Sequence, residues 1–459
     1  MEIIILAAGQ GTRLKSAIPK VMHQIGGNAL LEHVITAARH LTVAEHITVV
    51  YGHGGETVPN ALAHTGVQWA KQEQQHGTGH AVAQALPHLK GGGTVLILFG
   101  DVPLVQPATL TRLVSAAGQD SLAILTVELD NPYGYGRIVR NETGAVARIV
   151  EEKDATPQEK TITEGNSGVM AVPHQLLARW LPQLGNSNAQ GEYYLTDLVG
   201  LAVADGVSVK AAKVGDADEV FGVNNREQLA YLERVYQARL AQRLMAEGVT
   251  LRDPARFDLR GEILEHGTDI EIDVNVVLEG RLTIGARVKI GPHCVIRNAS
   301  IGDDTIIEAH SMIDAAVIGA GCRIGPFARI RPETHLADHV HVGNFVELKK
   351  SNVAAGSKIN HLSYVGDSTV GAGVNIGAGT ITCNYDGANK HQTIIEDGAF
   401  IGSDTQLVAP VRVGKNATIG AGSTITHDAP ADALTLSRSK QMTLQGWKRP
   451  QKSSVKSGE

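Results

Sequence analysis

The amino-acid sequence predicts a two-part α/β chain, in which an open, mostly parallel sheet with helices on its faces is followed by a parallel β-helix. Up to about residue 226, short apolar segments alternate with segments of helical period, as in βαβ units. From Ile272 onward, aliphatic residues recur at every sixth position, which is the signature of a hexapeptide repeat. The glycine content fits this repeat, because 51 of the 459 residues are glycine, against a usual share of about 7%.

The first part contains five candidate strands with helices between them. Helical spacing predicts helices at 30–38 and 78–86, and a longer one over 225–248. Asn225 with Gln228 resembles a capping box at the start of that long helix, and Gly248 is a natural stop. We interpret it as a rigid connector, which gives boundaries of 1–226, 227–247 and 248–459. The candidate strands are Ile3–Leu6, Ile47–Tyr51, Val95–Phe99, Leu122–Val127 and Val207–Ala212.

The second part repeats in steps of six residues, with occasional steps of five. Aliphatic residues occupy the ladder from Ile272 to Ile376 and again from Ile395 to Ile425. Three hexapeptides make one triangular coil, so residues about eighteen apart stack on the same face. Twelve glycines directly follow a ladder residue, where a missing Cβ permits a tight corner. Residues 382–394 break the register and are expected to loop out, which in a regular stack indicates function; a neutral surface insertion is the alternative.

Composition and charge exclude several classes of protein. The net charge of −6 argues against a nucleic-acid partner held by a basic surface. No eighteen consecutive residues are apolar, so no membrane span is expected, and the N-terminus has no secretory signal pattern. Three widely spaced cysteines without a CxxC motif favour a reducing cytosol over a disulfide framework. The last ten residues are expected to be disordered.

A glycine-containing loop, LAAGQGTR, directly follows the first strand, with Lys20 shortly beyond it. Glycines such as Gly9 and Gly11 let the backbone approach phosphates closely, and Arg13 and Lys20 can neutralise them. The loop lacks the third glycine of a dinucleotide fingerprint and the GK[ST] of a P-loop. Asp101 ends another apolar strand, where ligands bind in open α/β sheets and where a carboxylate suits Mg²⁺.

The first part resembles the sugar-nucleotide pyrophosphorylases. LAAGQGTRL with Pro19-Lys20 is similar to their signature, and coupled to hexapeptide repeats the whole chain resembles the family of bifunctional bacterial N-acetylglucosamine-1-phosphate uridyltransferase/glucosamine-1-phosphate N-acetyltransferases. This resemblance covers all but the last ten or so residues. The further matching segments are Gln72, 77–80, 99–104, 135–138, 151–154, 166–168, 192–197 and 222–226.

The resemblance implies transfer of a uridylyl group from UTP to a sugar phosphate in the first part, with release of pyrophosphate. A Rossmann-like nucleotidyltransferase domain is expected there, with Asp101 and Asn224 holding Mg²⁺. The residues that would line the nucleotide-sugar site are Leu6, Ala7, Ala8, Gly9, Arg13, Lys20, Gln72, Gly77, Thr78, Phe99, Gly100, Asp101, Gly136, Glu151, Asn166 and Asn224.

In the β-helix, the register alone places several functional side chains on one strip of surface. Arg331 and Lys349 are eighteen apart and occupy the same repeat position, one coil above the other. Two stacked cations repel, so a paired anion site for a sugar phosphate is a better interpretation than a solvated ladder. His361 and Tyr364 fall on the next coil of the same strip.

The resemblance implies that the second part acetylates glucosamine 1-phosphate from acetyl-CoA. His361 is then the general base, since an imidazole is suited to accept the amine proton, and Arg331, Lys349, Tyr364 and Asn375 hold the sugar phosphate. The resemblance also implies a left-handed coil and a homotrimer with acetyltransferase sites between subunits. The residues expected to contact acetyl-CoA are Ala378, Asn384, Tyr385, Ser403, Ala421 and Arg438, with Lys390 as a weaker candidate.

Two other functions compete with a two-enzyme chain. The β-helix could serve only for oligomerisation of a single-activity pyrophosphorylase, but Arg331, Lys349, His361 and the 382–394 insertion argue against this. A regulatory protein with a decayed nucleotidyltransferase domain is disfavoured because its charged motifs are intact.

Overall fold

The computed structural model describes residues 1–451, and the chain divides into two compact units. The first unit is Met1–Glu247 with Asp253–Glu262, and the second is Gly248–Arg252 with the chain from Ile263 onward. The part of the expected disordered tail that falls in 452–459 lies outside the described residues.

The first unit is an α/β domain with helices between its strands. Its helices are α1 (Leu30–Arg39), α2 (Thr57–Ala61), α3 (Thr78–Ala85), α4 (Pro107–Ala116), α5 (His174–Trp180), α6 (Asp197–Ala204) and α7 (Arg226–Ala246). Its strands are β1 (Glu2–Ala7), β2 (Gln24–Ile25), β3 (Asn28–Ala29), β4 (Ile47–Tyr51), β5 (Gln68–Lys71), β6 (Thr94–Phe99), β7 (Ser121–Glu128), β8 (Gly136–Arg140), β9 (Val146–Val150), β10 (Glu164–Pro173) and β11 (Ser208–Lys213).

The main sheet runs in the order β11-β7-β10-β6-β1-β4-β5. All five predicted strands are present, and β6, β1, β4 and β5 pair in parallel. Strand β10 lies antiparallel between β6 and β7. Strand β10 was not predicted, because its first half, EGNSG, has no apolar run. The parallel half therefore ends its strands at one edge, where the glycine loop, Gln72 and Asp101 emerge.

Helix α7 packs within the first unit. Its start is capped by Asn225, whose side chain accepts from the backbone N–H of Gln228 at 2.8 Å. The reciprocal bond runs from the N–H of Asn224 to the Gln228 side chain at 2.7 Å, one residue earlier than in a standard capping box. Leu232 is buried in a cluster with Leu14 and other apolar residues of the domain. The start of α7 thus holds Asn224 at the edge of the domain.

The second unit is a parallel β-helix with three strands per coil. Its strands are β12 (Thr250–Leu251), β13 (Phe257–His266), β14 (Glu271–Ile272), β15 (Val276–Ile284), β16 (Lys289–Ile290), β17 (Val295–Arg297), β18 (Ser300–Ile301), β19 (Ile306–Ile307), β20 (Met312–Asp314), β21 (Ala316–Ile318), β22 (Arg323–Ile324), β23 (Arg329–Ile330), β24 (Thr334–Leu336), β25 (His341–Asn344), β26 (Glu347–Lys349), β27 (Asn352–Val353), β28 (Lys358–His361), β29 (Tyr364–Gly366), β30 (Ser368–Val370), β31 (Asn375–Ile376), β32 (Ile381–Cys383), β33 (Thr393–Ile395), β34 (Phe400–Ile401), β35 (Gln406–Val408), β36 (Val411–Val413), β37 (Thr418–Ile419), β38 (Thr424–Ile425) and β39 (Leu434–Thr435). Of these, β13 begins among residues of the first unit.

The ladder aliphatics form the core of this β-helix. Each of the 25 predicted ladder positions is at most 3% exposed. Burying one such side chain stabilises the fold by about 1.5–3 kcal/mol, so the column supplies most of the driving force for stacking. Buried hydroxyls satisfy carbonyls at the corners, as where Ser357 donates to Gly371 at 2.6 Å.

The loop that interrupts the repeat is shorter than predicted. Thr382 lies on β32 in a ladder position, is buried, and pairs with Leu407 of the following coil. Its hydroxyl accepts from the N–H of Gly366 at 2.8 Å. A polar residue at an aliphatic position concealed this step of the ladder, so the chain leaves the register only over 384–392.

Candidate functional sites

The first site is a cleft at the carboxyl ends of the parallel strands of the first unit. It holds two cavities, of about 450 Å³ and about 540 Å³, which share Thr78, Phe99 and Asp101 in their walls. Of the predicted residues, the first cavity is lined by Leu6, Ala7, Ala8, Gly9, Lys20, Gln72, Gly77, Thr78, Phe99 and Asp101. The second is lined by Arg13, Thr78, Phe99, Asp101, Gly136, Glu151, Asn166 and Asn224.

Unlike the other predicted cleft residues, Gly100 lines neither cavity. Its N–H donates to the carbonyl of Leu6 at 2.9 Å. A Cβ at this position would lie 3.1 Å from Leu31 and 3.2 Å from Ala7. Gly100 therefore allows β1 and the chain after β6 to pack closely behind the cleft.

Four charged or amide side chains meet at the centre of the cleft. The ammonium of Lys20 forms an ion pair with Asp101 and donates to Asn224 Oδ1 at 2.8 Å. Arg13 donates to the same Asn224 oxygen at 2.9 Å. Because the carboxylate and amide oxygens converge on one cation, this donor set fits Mg²⁺, which prefers hard oxygen ligands. Within the described residues, no group of three or more His, Cys, Asp or Glu side chains could hold a metal, so further ligands would be water or phosphate oxygens.

The two glycines of the loop have different roles. A Cβ at Gly9 would meet nothing within 4 Å, so Gly9 leaves open space in the cavity wall. Gly11 has a φ of +62°, and a Cβ there would lie 2.6 Å from Lys20 Cβ. Gly11 is therefore required for the fold of the loop, whereas Gly9 keeps room for a ligand.

The second cavity contains buried polar side chains that can accept further hydrogen bonds. Asn166 is 7% exposed, and its side-chain oxygen has no hydrogen-bond partner. Glu151 accepts from the hydroxyl of Thr196 at 2.8 Å, and burial raises the pKa of its carboxyl group. A ligand rich in hydroxyl and amide groups can satisfy both residues.

The predicted strip on the β-helix is present, with two carboxylates that the sequence analysis missed. Ile330 pairs with Leu348, so Arg331 and Lys349 stack on adjacent coils. Arg331 donates to Glu347 at 2.7 Å, and the Lys349 ammonium lies 3.7 Å from Asp367. Each cation thus has a carboxylate beside it, which relieves the repulsion expected for bare stacked charges. The repeat could have indicated Glu347, because alternate residues of a strand share a face and Glu347 lies two residues before Lys349.

His361 is held by an asparagine one coil below it. His361 and Asn344 are register partners at the ends of β28 and β25. The ring Nδ1 lies 2.8 Å from Asn344 Oδ1. With the amide in this orientation, Nδ1 carries the proton and Nε2 is left as an acceptor on an exposed ring. Sequence spacing alone did not single out Asn344, although it is seventeen residues before His361.

The register places His361 in a single column of corner residues. Ile359 pairs with Ile376, and Ile376 pairs with Ile401, so His361, Ala378 and Ser403 stack in turn. Ile401 pairs with Ile419, which adds Ala421 to the column. The carbonyl of Ala421 accepts from the Arg438 guanidinium at 2.8 Å. Four predicted acetyl-CoA residues therefore follow His361 along one edge of the β-helix.

The loop over 384–392 lies beside the same strip. Asn384 donates to the hydroxyl of Tyr364 at 3.3 Å and also to Asp367. Asp386 accepts from the N–H of Asn389 at 2.6 Å, which shapes the loop tip, where Tyr385 is exposed. The nearby ammonium of Lys349 lowers the pKa of Lys390. Asn375 lies on β31 in the same strand row as His361, three residues before Ala378.

Comparisons with known proteins match both units. The family described as MobA-like NTP transferase domain matches residues 3–188, the GMPPB C-terminal domain matches 260–353, and the bacterial transferase hexapeptide (six repeats) matches 392–427. The chain is similar to the "Bifunctional protein GlmU" of Methylococcus capsulatus, with 61% identity over 98% of both chains. It is also similar to the protein of the same name in Azoarcus sp., with 58% identity over 98% of this chain and 100% of the relative. The hexapeptide match accords with a left-handed parallel β-helix. Within residues 1–451, no helix combines the length and apolar character needed to cross a bilayer.

Proposed function

The chain belongs to the family of bifunctional GlmU proteins, and from this premise we propose which residues carry its two activities. It is an enzyme of UDP-N-acetylglucosamine synthesis with an N-acetyltransferase activity and a uridyltransferase activity. We assign the uridyltransferase to residues 1–226, with 227–247 as the connecting helix, and the acetyltransferase to 248–459. The observation that carries this assignment is that each unit contains its own set of converging polar side chains.

In the uridyltransferase site, we propose that Arg13 and Lys20 neutralise the triphosphate of UTP. Asp101 and Asn224 would hold Mg²⁺, which supplies further neutralisation of phosphate charge when bound. A phosphate oxygen of N-acetylglucosamine 1-phosphate attacks the α-phosphorus, and the bond from that phosphorus to the bridging oxygen breaks to release pyrophosphate. Such a reaction depends on positioning and on charge stabilisation. Glu151 and the unsatisfied oxygen of Asn166 support binding of the sugar in the second cavity.

In the acetyltransferase site, we propose that Nε2 of His361 accepts the proton lost by the amine of glucosamine 1-phosphate. The amine nitrogen attacks the thioester carbonyl of acetyl-CoA and the carbon–sulfur bond breaks. The proton taken up by His361 passes to the leaving sulfur, so coenzyme A leaves as the thiol. Arg331 and Lys349 would bind the sugar phosphate, with Tyr364 and Asn375 beside it. The column of Ala378, Ser403 and Ala421, with Arg438, Asn384 and Tyr385, would bind acetyl-CoA. This column supports the proposal because it leads along the coils to His361.

We further propose a homotrimer whose acetyltransferase sites are completed by neighbouring subunits. Three apolar side chains stack along one corner of the β-helix next to His361. Phe327, Phe345 and Leu362 are 47%, 55% and 64% exposed, and the two phenylalanine rings stack at 5.3 Å. Exposed apolar columns of this kind mark protein–protein contacts. A cytoplasmic location is supported by three unpaired thiols.

The proposed function is tested by assaying the full chain for both half-reactions. Pyrophosphate release is measured with UTP, Mg²⁺ and N-acetylglucosamine 1-phosphate, and thiol release with acetyl-CoA and glucosamine 1-phosphate. We expect both products. Pyrophosphate release alone would favour a single-activity pyrophosphorylase whose β-helix only oligomerises.

A further inference from the structure

Gln72 lies at the end of the first cavity away from Lys20 and Asp101, where Gly77 and Glu192 also line the wall. It directly follows β5, whereas Asp101 follows β6, and the sheet order β6-β1-β4-β5 separates these strands by three steps. At about 4.8 Å per step, the two positions are roughly 14 Å apart. Because Lys20 and Asp101 occupy the phosphate end, the nucleobase belongs at the end lined by Gln72 and Gly77.

The side-chain amide of Gln72 is fixed in one orientation. Gln72 is 3% exposed. Its Nε2 donates to the carbonyl of Gly77 at 3.2 Å and lies 3.0 Å from Nδ1 of His80. Since a backbone carbonyl can only accept, the atom beside Gly77 must be the NH₂ group. With both N–H bonds used, only the amide oxygen remains to face a ligand in the cavity.

His80 contacts the Gln72 amide from outside the cavity. It is absent from the cavity wall, so it acts on a ligand only through Gln72. Its Nε2 lies 3.2 Å from the amide of Gln84. The same Gln84 NH₂ group donates to the backbone carbonyl of His80 at 3.3 Å, so it has an acceptor without the ring. The NH₂ group of the buried Gln72, in contrast, needs an acceptor at Nδ1 for its second N–H. The neutral imidazole therefore carries its proton on Nε2 and accepts from Gln72 at Nδ1.

We propose that His80 is a positioning residue that selects the base of the nucleotide. By holding the Gln72 oxygen toward the cavity, it presents an acceptor to a pyrimidine that carries N3–H, as uracil does. Cytosine has an unprotonated N3 and would face this oxygen with a lone pair. This inference rests on the proposed uridylyl transfer and adds the group that discriminates UTP from CTP.

The test is the ratio of kcat/KM for UTP to kcat/KM for CTP, measured by pyrophosphate release with N-acetylglucosamine 1-phosphate. In His80→Leu, the acceptor at Nδ1 is lost and the Gln72 amide keeps only its bond to the Gly77 carbonyl. Its oxygen is then held less firmly toward the cavity, and we expect the ratio to fall at least about tenfold, the scale of one misplaced hydrogen bond in a selective site. In the matched variant His80→Asn, the amide oxygen can take the place of Nδ1, and the ratio should be retained. Thermal unfolding followed by circular dichroism reports whether the first unit of each variant is folded, because acetyl transfer takes place in the second unit.

The outcomes separate this inference from the proposed function. If the unmodified chain does not turn over UTP, the proposed function fails. If it does, and His80→Leu lowers kcat/KM for UTP and CTP equally, His80 is merely structural and the inference is overturned. If His80→Leu does not fold, His80→Gln gives the same test, because its amide extends toward the Nε2 position and leaves the Nδ1 position empty. An unchanged ratio in that variant would equally overturn the inference.

Discussion

The two active regions are assembled in opposite ways. In the cleft, side chains that are far apart in sequence meet, as Arg13 and Asn224 do across 211 positions. On the β-helix, the functional groups are register neighbours, as Asn344 and His361 are across 17 positions. The cleft closes around two cavities within one unit, whereas the β-helix presents its groups on an outward strip. The difference teaches that a globular domain can complete a site by itself, while a solenoid surface offers one wall, which in the proposed homotrimer a neighbouring subunit completes.

The largest expected effect is the loss of one activity while the other is retained. His361→Ala removes the proposed general base and should lower acetyl transfer by about 10²–10⁴-fold, with uridylyl transfer unchanged. Asp101→Ala removes the central carboxylate and should lower uridylyl transfer by about 10²–10³-fold, with acetyl transfer unchanged. Both activities are measured on both variants. Loss of both activities in either folded variant would contradict two independent sites.

The second prediction concerns the open wall of the β-helix. A chain with His361→Ala and a chain lacking residues 385–391 should each be inactive in acetyl transfer. If a neighbour's loop completes the site, co-refolded mixed trimers should recover a fraction of the activity. Each variant refolded alone is the control. No recovery in a mixture shown to contain mixed trimers would count against shared sites.

A smaller effect is expected at the asparagine below His361. Asn344→Ala should lower kcat for acetyl transfer by about tenfold, since the ring loses the acceptor that orients Nε2. Asn344→Asp keeps an acceptor at that position and should restore most of kcat. Asn352→Ala, at an exposed position on another face, is the matched control. Full activity in Asn344→Ala would show that the ring needs no orienting partner.

The smallest effect tests the open space beside the glycine loop. A methyl group at Gly9 meets no protein atom within 4 Å, so Gly9→Ala should leave Tm unchanged. It would narrow the cavity, and we expect KM for UTP to rise a few-fold. Gly215→Ala, whose Cβ also meets nothing, is the control outside the cleft. An unchanged KM in Gly9→Ala would mean that the phosphates do not approach this backbone.

The repeat made the β-helix far more predictable than the cleft. A period of six places every ladder residue without knowledge of the rest of the fold, and the stacking of Arg331 on Lys349 follows from counting. Thr382 was missed because a hydroxyl replaces an aliphatic group while filling the same place.

In the first unit, local patterns identified the parallel strands other than β5. They did not identify the antiparallel β10 or the meeting of Lys20 with Asn224. These depend on long-range packing. The resemblance supplied the candidate residues there. On the β-helix, the repeat could have indicated Glu347, whereas the approach of Asp367 to Lys349 is visible only in the structure.

The regular register of the β-helix also sets how its surface can change. Each coil adds about 4.8 Å along the axis, and a coil of seventeen residues keeps the same columns as one of eighteen, as where Leu348 pairs with Val365. Distances between Arg331, Lys349 and His361 can therefore be altered only in whole-coil steps or through a loop such as 384–392. Along its axis, the scaffold can therefore match only those changes in substrate length that correspond to whole coils.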